Sequence, residues 1–269
     1  MHTKIVPFAA LVAQGRWKVE FFCNEGVSPK CVRYPTVALK DILRERRAAL
    51  NPQAYPDHVF NYLGLEHVQP VTGDLVEYEA RNGSQVLSRS KVFREGDLLY
   101  GRLRPSLNKV FVADDFLPEG ICSGEFYVLV PDQKCIRPHF ARAVLASRYV
   151  QDVVGTMTTG SALPRLQIED LLAIEVPLPP LDEQRDIEET LLEQRRRRLL
   201  IARELASGPG DALRALVHLL EDGVPYAIED VQDEGTKRYA HHTLPTDIEM
   251  GEKTRGRPRM QPLVSALFE

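Results

Sequence analysis

The sequence lacks the motifs that mark the common classes of enzyme. Along its 269 residues it has no glycine-rich Walker loop, no HExxH helix and no GxSxG turn, which are the usual signs of nucleotide, zinc-protease and serine-hydrolase chemistry. A methyltransferase-type glycine loop and an NPPF-like tetrapeptide are also missing. The histidines have no partners at the spacing of a metal site. We therefore predict no catalytic residue, no metal and no cofactor of its own.

Cysteine is scarce and widely spaced, at Cys23, Cys31, Cys122 and Cys135. A zinc site needs closely spaced ligand pairs, so these cysteines are predicted to be reduced thiols in a cytoplasmic protein. No apolar run approaches the ~20 residues that a membrane helix needs. The opening KIVPFAALVA contains Pro7 and has no clear cleavage site, so residues 1–34 are predicted to be a lead-in or docking arm rather than a signal peptide.

A general surplus of positive charge is missing as well. The chain has 34 basic and 38 acidic residues, for a net charge of -4. Any argument for nucleic-acid binding must therefore rest on local clusters of charge. The composition, 43% hydrophobic and 27% charged, predicts a globular protein with a substantial core.

Short apolar runs separated by turn residues fill residues 35–180. The runs DLVEY, VLSRSKVF, DLLYG, KVFVA and EFYVLV predict strands. The segment RPHFARAVLASRYVQDVV predicts one helix, with Pro138 near its start. This pattern predicts an α+β domain whose strands are mostly antiparallel.

The character of the chain changes after Pro180. A long helix is predicted from Asp182 to about Ala206, acidic in its first turns and basic at Arg195 to Arg198, in the order that complements the helix dipole. Residues 181–223 are predicted to be a helical, coiled-coil-like spacer, with a second helix after SGPG, and residues 224–269 a flexible tail. An interrupted apolar stripe suits contact with a partner helix. Its members are Ile187, Leu191, Leu192, Leu199, Ile201 and Leu205.

Two segments of the predicted α+β domain have the residues expected of a DNA-binding loop. The first, GDLLYGRLRPSLNKVFVA, is a strand–loop–strand segment without an acid after Asp97, and its arginines can hold phosphate or read guanine while lysine supplies a point charge. The second, TMTTGSALPRL, offers hydroxyls and backbone amides to phosphate oxygens. A solvated surface loop is the competing interpretation for each. The predicted contacts are Tyr100, Arg102, Arg104, Lys109, Thr158, Thr159, Gly160, Ser161 and Arg165.

The tail contains the core of an AT-hook, Arg255, Gly256, Arg257 and Pro258. Such an element lays two arginines in a narrow A·T minor groove, where the negative potential is deepest. A chance match in a basic tail is the alternative. The RRRR run within the spacer helix is interpreted mainly as solvated or paired with acids of a partner helix, because four consecutive arginines point in all directions around a helix.

Five segments follow one another in a recognisable order. They are VALKDIL (Val37–Leu43), HVFNYLGLEHV (His58–Val68), VFREGDLLYGRLRPSLNKVFVA, GICSGEFYVLVP (Gly120–Pro131) and TTGSALPRLQIEDLLAIEVPLPPLDEQRDI (Thr158–Ile187). In these the chain resembles the specificity subunits of type I restriction–modification systems. A typical member of that family looks like two such halves in tandem, with two recognition domains and two spacers. This sequence has one of each and a tail, so it resembles a half-size form.

The resemblance implies a function in DNA recognition. It implies a non-catalytic subunit that reads double-stranded DNA and docks methyltransferase subunits, with S-adenosylmethionine bound by that partner. A nuclease or translocase subunit, and a second specificity half as homodimer or heterodimer, are further implied partners, and no membrane is involved. Two alternatives stay open: a stand-alone DNA-binding regulator, and a helical adaptor of a defence complex without its own DNA specificity.

Overall fold

The computed structural model describes residues 33–158, 163–199, 201 and 242–245. The strands within them are β1 (Thr36–Ala38), β2 (Leu43–Glu45), β3 (Ala49–Leu50), β4 (Val59–Phe60), β5 (Tyr62–Leu63), β6 (Arg81–Asn82), β7 (Ser90–Phe93), β8 (Leu98–Gly101), β9 (Val110–Val112), β10 (Gly120–Cys122), β11 (Phe126–Pro131) and β12 (Glu175–Pro177). The helices are α1 (Leu39–Ile42), α2 (Pro138–Ala146), α3 (Arg148–Met157), α4 (Ile168–Leu172) and α5, which is helical over residues 181–199. None of these helices is both long and apolar enough to cross a bilayer.

Two four-stranded sheets form the centre of the domain. One has the order β2-β11-β8-β9 and is antiparallel throughout. The other has the order β3-β7-β10-β5, in which β10 and β5 run parallel and the other pairs antiparallel. The short pairs β1-β12 and β4-β6 are antiparallel too. The predicted α+β class with mostly antiparallel strands is confirmed.

Strand β8 is buried on both faces. Its Leu98 and Tyr100 lie in the core cluster beneath α2 and α3, while Leu99 lies in a second cluster with residues of the other sheet. This alternation follows from the two-residue period of a strand. The continuous apolar runs of β8, β9 and β11 are therefore explained by burial on both sides, and the basic loop between β8 and β9 is mounted on a rigid sheet.

Some predicted elements differ in the structure. The single helix predicted over RPHFARAVLASRYVQDVV is two helices, because Ser147 is extended (ψ 150°) and its hydroxyl accepts the N–H of Val150 at 3.3 Å as the cap of α3. The run DLVEY is not a strand and has only a single bridge, between Leu75 and Val68. Within VLSRSKVF the strand is limited to Ser90–Phe93.

Helix α5 begins directly after the α+β domain and packs against it through polar side chains. Gln184 is fully buried and accepts the backbone N–H of Arg137 at 3.0 Å. Glu188, also buried, accepts the backbone N–H of His139 at 3.0 Å and binds the Arg137 guanidinium. Both side chains thus satisfy the free N–H groups at the start of α2, where negative charge is also favoured by the helix dipole.

A network of charges extends this contact about two turns further along α5. The Arg195 guanidinium lies 3.1 Å from Asp74, pairs with Asp114 and stacks over the Phe116 ring at 4.8 Å. Arg198 lies 3.3 Å from the same Asp74 carboxylate. Helix α5 is therefore fixed to the domain by buried and half-buried ion pairs, as well as by the Gln184 and Glu188 contacts.

The prediction that these arginines face acids of a partner helix is wrong for Arg195 and Arg198. Both pair with carboxylates of the same chain. Arg197 pairs with Glu193 one turn earlier on α5, at 2.9 Å. Arg196 is exposed and has no ion pair with any residue the structure describes. The distinction depends on which face of the helix meets the domain, which the run of four arginines does not reveal.

Candidate DNA-binding surface

The structure brings the two predicted DNA-binding segments together. Leu103 and Arg165 form an antiparallel bridge. The N–H of Arg104 donates to the carbonyl of Pro164 at 2.8 Å, and the N–H of Leu166 donates to the carbonyl of Arg102 at 3.1 Å. The basic loop after β8 and the chain before α4 therefore form one continuous surface, although they are some sixty residues apart in the sequence.

Arg102 and Arg165 share one carboxylate, that of Glu125. Arg165 meets it with two nitrogens, at 2.8 and 3.2 Å, in the fork geometry that guanidinium groups prefer, and Arg102 lies 3.6 Å away. The hydrogen bond from Arg165, assisted by the charges of both arginines, lowers the pKa of Glu125. The carboxylate is therefore ionised at neutral pH, so the cluster of Arg102, Arg104, Lys109 and Arg165 with Glu125 carries four positive charges and one negative.

Arg102 is also held by an aromatic ring. Its guanidinium lies 5.5 Å from the centroid of Tyr127, whose hydroxyl donates to the carbonyl of Leu166 at 2.8 Å. Stacking on a ring and pairing with a carboxylate limit the rotamers of an arginine. Because the Arg102 side chain is 30% exposed, part of the guanidinium still faces solvent from a fixed position.

Arg104 is the most available cation of the surface. It is exposed, and its side chain has no ion pair among the residues that the structure describes. Its backbone is left-handed (φ 47°, ψ 59°) at the start of the 3-10 turn Pro105–Leu107, a conformation that costs a residue with a Cβ ~1–2 kcal/mol. Asn108 closes the turn, also left-handed, and donates to the carbonyl of Ala146 at 2.8 Å. The left-handed residues Arg104 and Asn108 thus bound a turn that is fixed to α2, and this turn holds the Arg104 side chain toward solvent.

Lys109 lies behind this turn. Its ammonium donates to the carbonyl of Leu65 at 2.7 Å, and two of its three N–H groups remain for another acceptor. This contact links the basic loop to the chain after β5. Close to this point Arg81, which is 38% exposed, stacks over the Tyr62 ring at 4.9 Å and pairs with Glu66 at 3.6 Å, so an ion pair rather than a further free cation lies beside Lys109.

Tyr100 does not belong to this surface. Its side chain is 1% exposed and lies in the core under α2 and α3, and burial raises its pKa to about 12. The prediction that Tyr100 contacts DNA is therefore not retained. On strand β8 the residue faces the helices, and the side chains beyond the strand end, Arg102 and Arg104, reach the surface instead.

The remaining predicted contacts are only partly visible. Thr158 follows α3, and its hydroxyl donates to the carbonyl of Gly155 at 3.4 Å. The residues that lie outside the described part of the chain are Thr159, Gly160, Ser161, Arg255, Gly256, Arg257 and Pro258.

The predicted partner-helix residues divide into two groups. Ile187, Leu199 and Ile201 are exposed by 41%, 36% and 56%. Leu191 and Leu192 are half-buried and line the groove between α5 and the recognition domain. Leu205 lies outside the described residues. The domain itself therefore covers part of the stripe that the sequence assigned to a partner.

Sequence reasoning missed Glu125, Arg81 and the polar anchors of α5. Glu125 was part of a predicted strand segment, and only the β10–β11 turn brings it to the arginines. Arg81 stands alone between turn residues and gives no local signal. In the described part of the chain, no group of three or more His, Cys, Asp or Glu side chains could hold a metal ion.

Residues 71–197 match the family model of the type I restriction modification DNA specificity domain. This span contains the basic loop, Glu125, Arg165 and most of α5. A curated relative, the type I restriction enzyme EcoDI specificity subunit of Escherichia coli, is 30% identical over 137 residues, which are 51% of this chain and 29% of that one. Residues 71–197 are thus similar to the type I restriction modification DNA specificity domain, and the resemblance predicted from the sequence is confirmed.

Solved structures share the fold. The HsdS subunit from Thermoanaerobacter tengcongensis superposes with a TM-score of 0.56 at 24% identity, over 72% of this chain and 51% of that one. A chain from a structural study of complex assembly and conformational transition of the type I R-M system gives 0.54 at 23% identity, over 74% and 51%. This chain therefore spans about half of those solved chains and less than a third of the curated relative.

Proposed function

We propose that this chain is a non-catalytic subunit that recognises a specific sequence in double-stranded DNA. The observation that carries the proposal is the surface built from the loop after β8 and the segment before α4. Its four cations and one carboxylate lie within the part of the chain that matches the type I specificity domain. A net positive surface on a chain of net charge -4 concentrates the attraction for DNA at one place.

The cations of this surface take different roles. Arg102 and Arg165 are fixed by Glu125 and Tyr127, and a guanidinium held in one orientation can bind guanine bidentately. Arg104 and Lys109, which have no carboxylate partner in the described residues, suit phosphate oxygens. Fixed arginines therefore supply sequence preference, and the other two supply affinity that is independent of sequence.

In this proposal the catalytic steps are carried out by partner subunits. The recognition subunit places an adenine-N6 methyltransferase on its site, that partner binds S-adenosylmethionine, and a nuclease or translocase subunit can join the complex. The exposed apolar side chains of α5 (Ile187, Leu199 and Ile201) offer contacts to these subunits or to a second specificity half. A cytoplasmic location fits a DNA-modifying complex.

The test compares arginines of the surface with an arginine outside it. The full chain carrying Arg104→Ala is titrated with DNA over a range of salt concentrations, beside the control Arg185→Ala, an exposed arginine on α5. Loss of a phosphate contact should weaken all sequences alike and lower the salt slope by about 1. Arg102→Ala should instead cost ~1–3 kcal/mol at one position of the site. Equal behaviour of the three variants would contradict the assignment of this surface.

A further inference from the structure

A short piece of the predicted tail lies on the recognition domain. Residues 242–245, His242 to Pro245, follow the described end of α5 by more than forty residues. They contact the domain where β4 meets β5 and where β10 begins. The structure thus gives four residues of the predicted tail contacts with the domain.

Polar groups of the domain fix the backbone of this segment. Asn61 donates to the carbonyl of His242 at 3.2 Å. His58 Nε2 lies 2.9 Å from the carbonyl of Thr243, and because a carbonyl can only accept, this nitrogen carries the proton. The N–H of Leu244 donates to the Glu119 carboxylate at 3.3 Å. Three consecutive residues are thus bound through their main-chain groups.

The Asn61 amide is preorganised for this contact. Its side chain is 1% exposed, its oxygen accepts the Tyr78 hydroxyl at 3.1 Å, and its nitrogen also donates to the carbonyl of Glu119 at 3.0 Å. With one N–H and the oxygen occupied inside the domain, the second N–H points to the tail. A buried amide N–H without an acceptor lowers the stability of the folded state. The domain therefore has a binding position for a carbonyl oxygen at Asn61.

Leu244 adds an apolar contact. It packs on the cluster of Leu50, Phe60, Val92 and Ile121, which form the core between β3, β4, β7 and β10. The Thr243 side chain between the two anchors is exposed. The half-buried Leu244 side chain and the bonds from three domain side chains to the main chain together hold the segment, while Thr243 faces solvent.

We propose that His242–Pro245 is an intramolecular docking segment, and that it tethers the AT-hook-like motif to the recognition domain. The second part rests on the proposed DNA-recognition function. Arg255 follows Pro245 by ten residues, so the chain can place it no further than ~35 Å from the docked segment. Such tethering raises the local concentration of the arginine pair beside DNA bound to the domain, and so raises affinity without a new contact.

The docking is tested in the full chain by Leu244→Glu, with Thr243→Ala as the matched control. Both residues lie in the docked segment, outside the strands and helices of the domain, and the Thr243 side chain is exposed. Hydrogen exchange is measured over residues 58–63 and 117–123. Leu244→Glu should speed exchange there by roughly tenfold, because burial of a leucine contributes that order of equilibrium constant, and Thr243→Ala should match the wild type. Unchanged exchange in Leu244→Glu overturns the docking.

The tethering is tested with A·T-rich and G·C-rich duplexes of equal length. Leu244→Glu should lose affinity several-fold on the A·T-rich duplex and little on the other, as should the double variant Arg255→Ala with Arg257→Ala. If the double variant binds both duplexes like the wild type, the hook does not bind DNA and the tethering is overturned, while the docking and the proposed DNA recognition by the domain stand. If the double variant loses affinity but Leu244→Glu does not, tethering through this segment is overturned.

Discussion

Replacing Arg195 by alanine tests the attachment of the spacer helix to the recognition domain. Arg195 lies on α5, and its guanidinium pairs with both Asp74 and Asp114. His139 lies 3.8 Å from Asp114, but burial lowers the pKa of His139, so its ring is neutral at neutral pH. Removal of Arg195 therefore leaves Asp114 without a cationic partner in the described residues and leaves Asp74 with Arg198 alone.

The magnitude follows from the burial of the three side chains. Arg195, Asp74 and Asp114 are 15%, 7% and 13% exposed. Removing one partner of a buried ion pair costs about 3–5 kcal/mol, and residual exposure places this pair near the lower limit, at ~3 kcal/mol. The neighbouring Arg196 is exposed and has no ion pair with a described residue. Arg196→Ala is therefore a matched control, and its expected effect is within ~0.5 kcal/mol.

Denaturant unfolding and hydrogen exchange measure the effect together. Because Gln184 and Glu188 tie α5 into the domain, Arg195→Ala should lower the free energy of unfolding and speed exchange in residues 181–199. The difference should not depend on protein concentration, since every pair lies within one chain. If Arg195→Ala and Arg196→Ala have the same stability, or if the loss disappears on dilution, the intramolecular network is not what fixes the helix.

Two other predictions concern charge and length. Glu125→Gln should raise the affinity for DNA and increase the salt slope by up to about 1, because the variant surface loses its carboxylate. The folded pKa of Glu125 is lowered, so its stabilising contribution is present above the unfolded pKa and lost as pH falls through the folded value. The stability difference between wild type and Glu125→Gln should therefore shrink below about pH 4, and a constant difference would contradict the ion pair. A heptad inserted after Leu199, beyond the docked part of α5, should add ~10 Å to the predicted spacer helix. In a two-fold assembly it should lengthen the gap between methylated half-sites without changing them, as sequencing of methylated DNA would show, whereas altered half-sites would contradict this.

The sequence predicts the parts of the fold that depend on local pattern. The runs that became β8, β9 and β11 are apolar over their whole length, and such runs indicate strands that are buried on both faces. The break between α2 and α3 also has a local cause, the capping hydroxyl of Ser147. Serine inside an amphipathic pattern was read as helix, since its capping role appears only when the backbone leaves the helix there.

The sequence predicted those site residues that lie together in one basic segment. It did not predict the contacts that form between segments distant in the sequence. Arg102, Arg104 and Arg165 were found because each lies in a loop with few acids. Leu103 pairs with Arg165, and Glu125 lies beside the arginines, because of the order of the strands in the sheet. A short stretch of sequence does not reveal that order. The acidic first turns of α5, which include Glu188, were interpreted only through the helix dipole, and Gln184 was given no role, although both side chains are buried caps of α2. Buried helix positions are predicted from the spacing of apolar residues, and a buried polar residue does not contribute to that pattern.

The two ends of the β8–β9 hairpin carry side chains of opposite charge, and this suits an acidic chain to the proposed binding of DNA at one end. The loop between the strands contains Arg102, Arg104 and Lys109, whereas the other end has Asp97 before β8, which Arg46 meets at 2.7 Å, and Asp114 after β9. Asp114 receives Arg195 from the spacer helix. The strands are four and three residues long, so the two ends are separated by ~10–14 Å of fully buried sheet. A rigid hairpin thus connects the surface proposed for DNA with the acidic end that holds the helix. In the proposed complex, DNA bound to the basic loop therefore fixes the direction in which α5 leaves the domain, and a partner subunit bound to α5 then acts at a defined distance from the recognised bases.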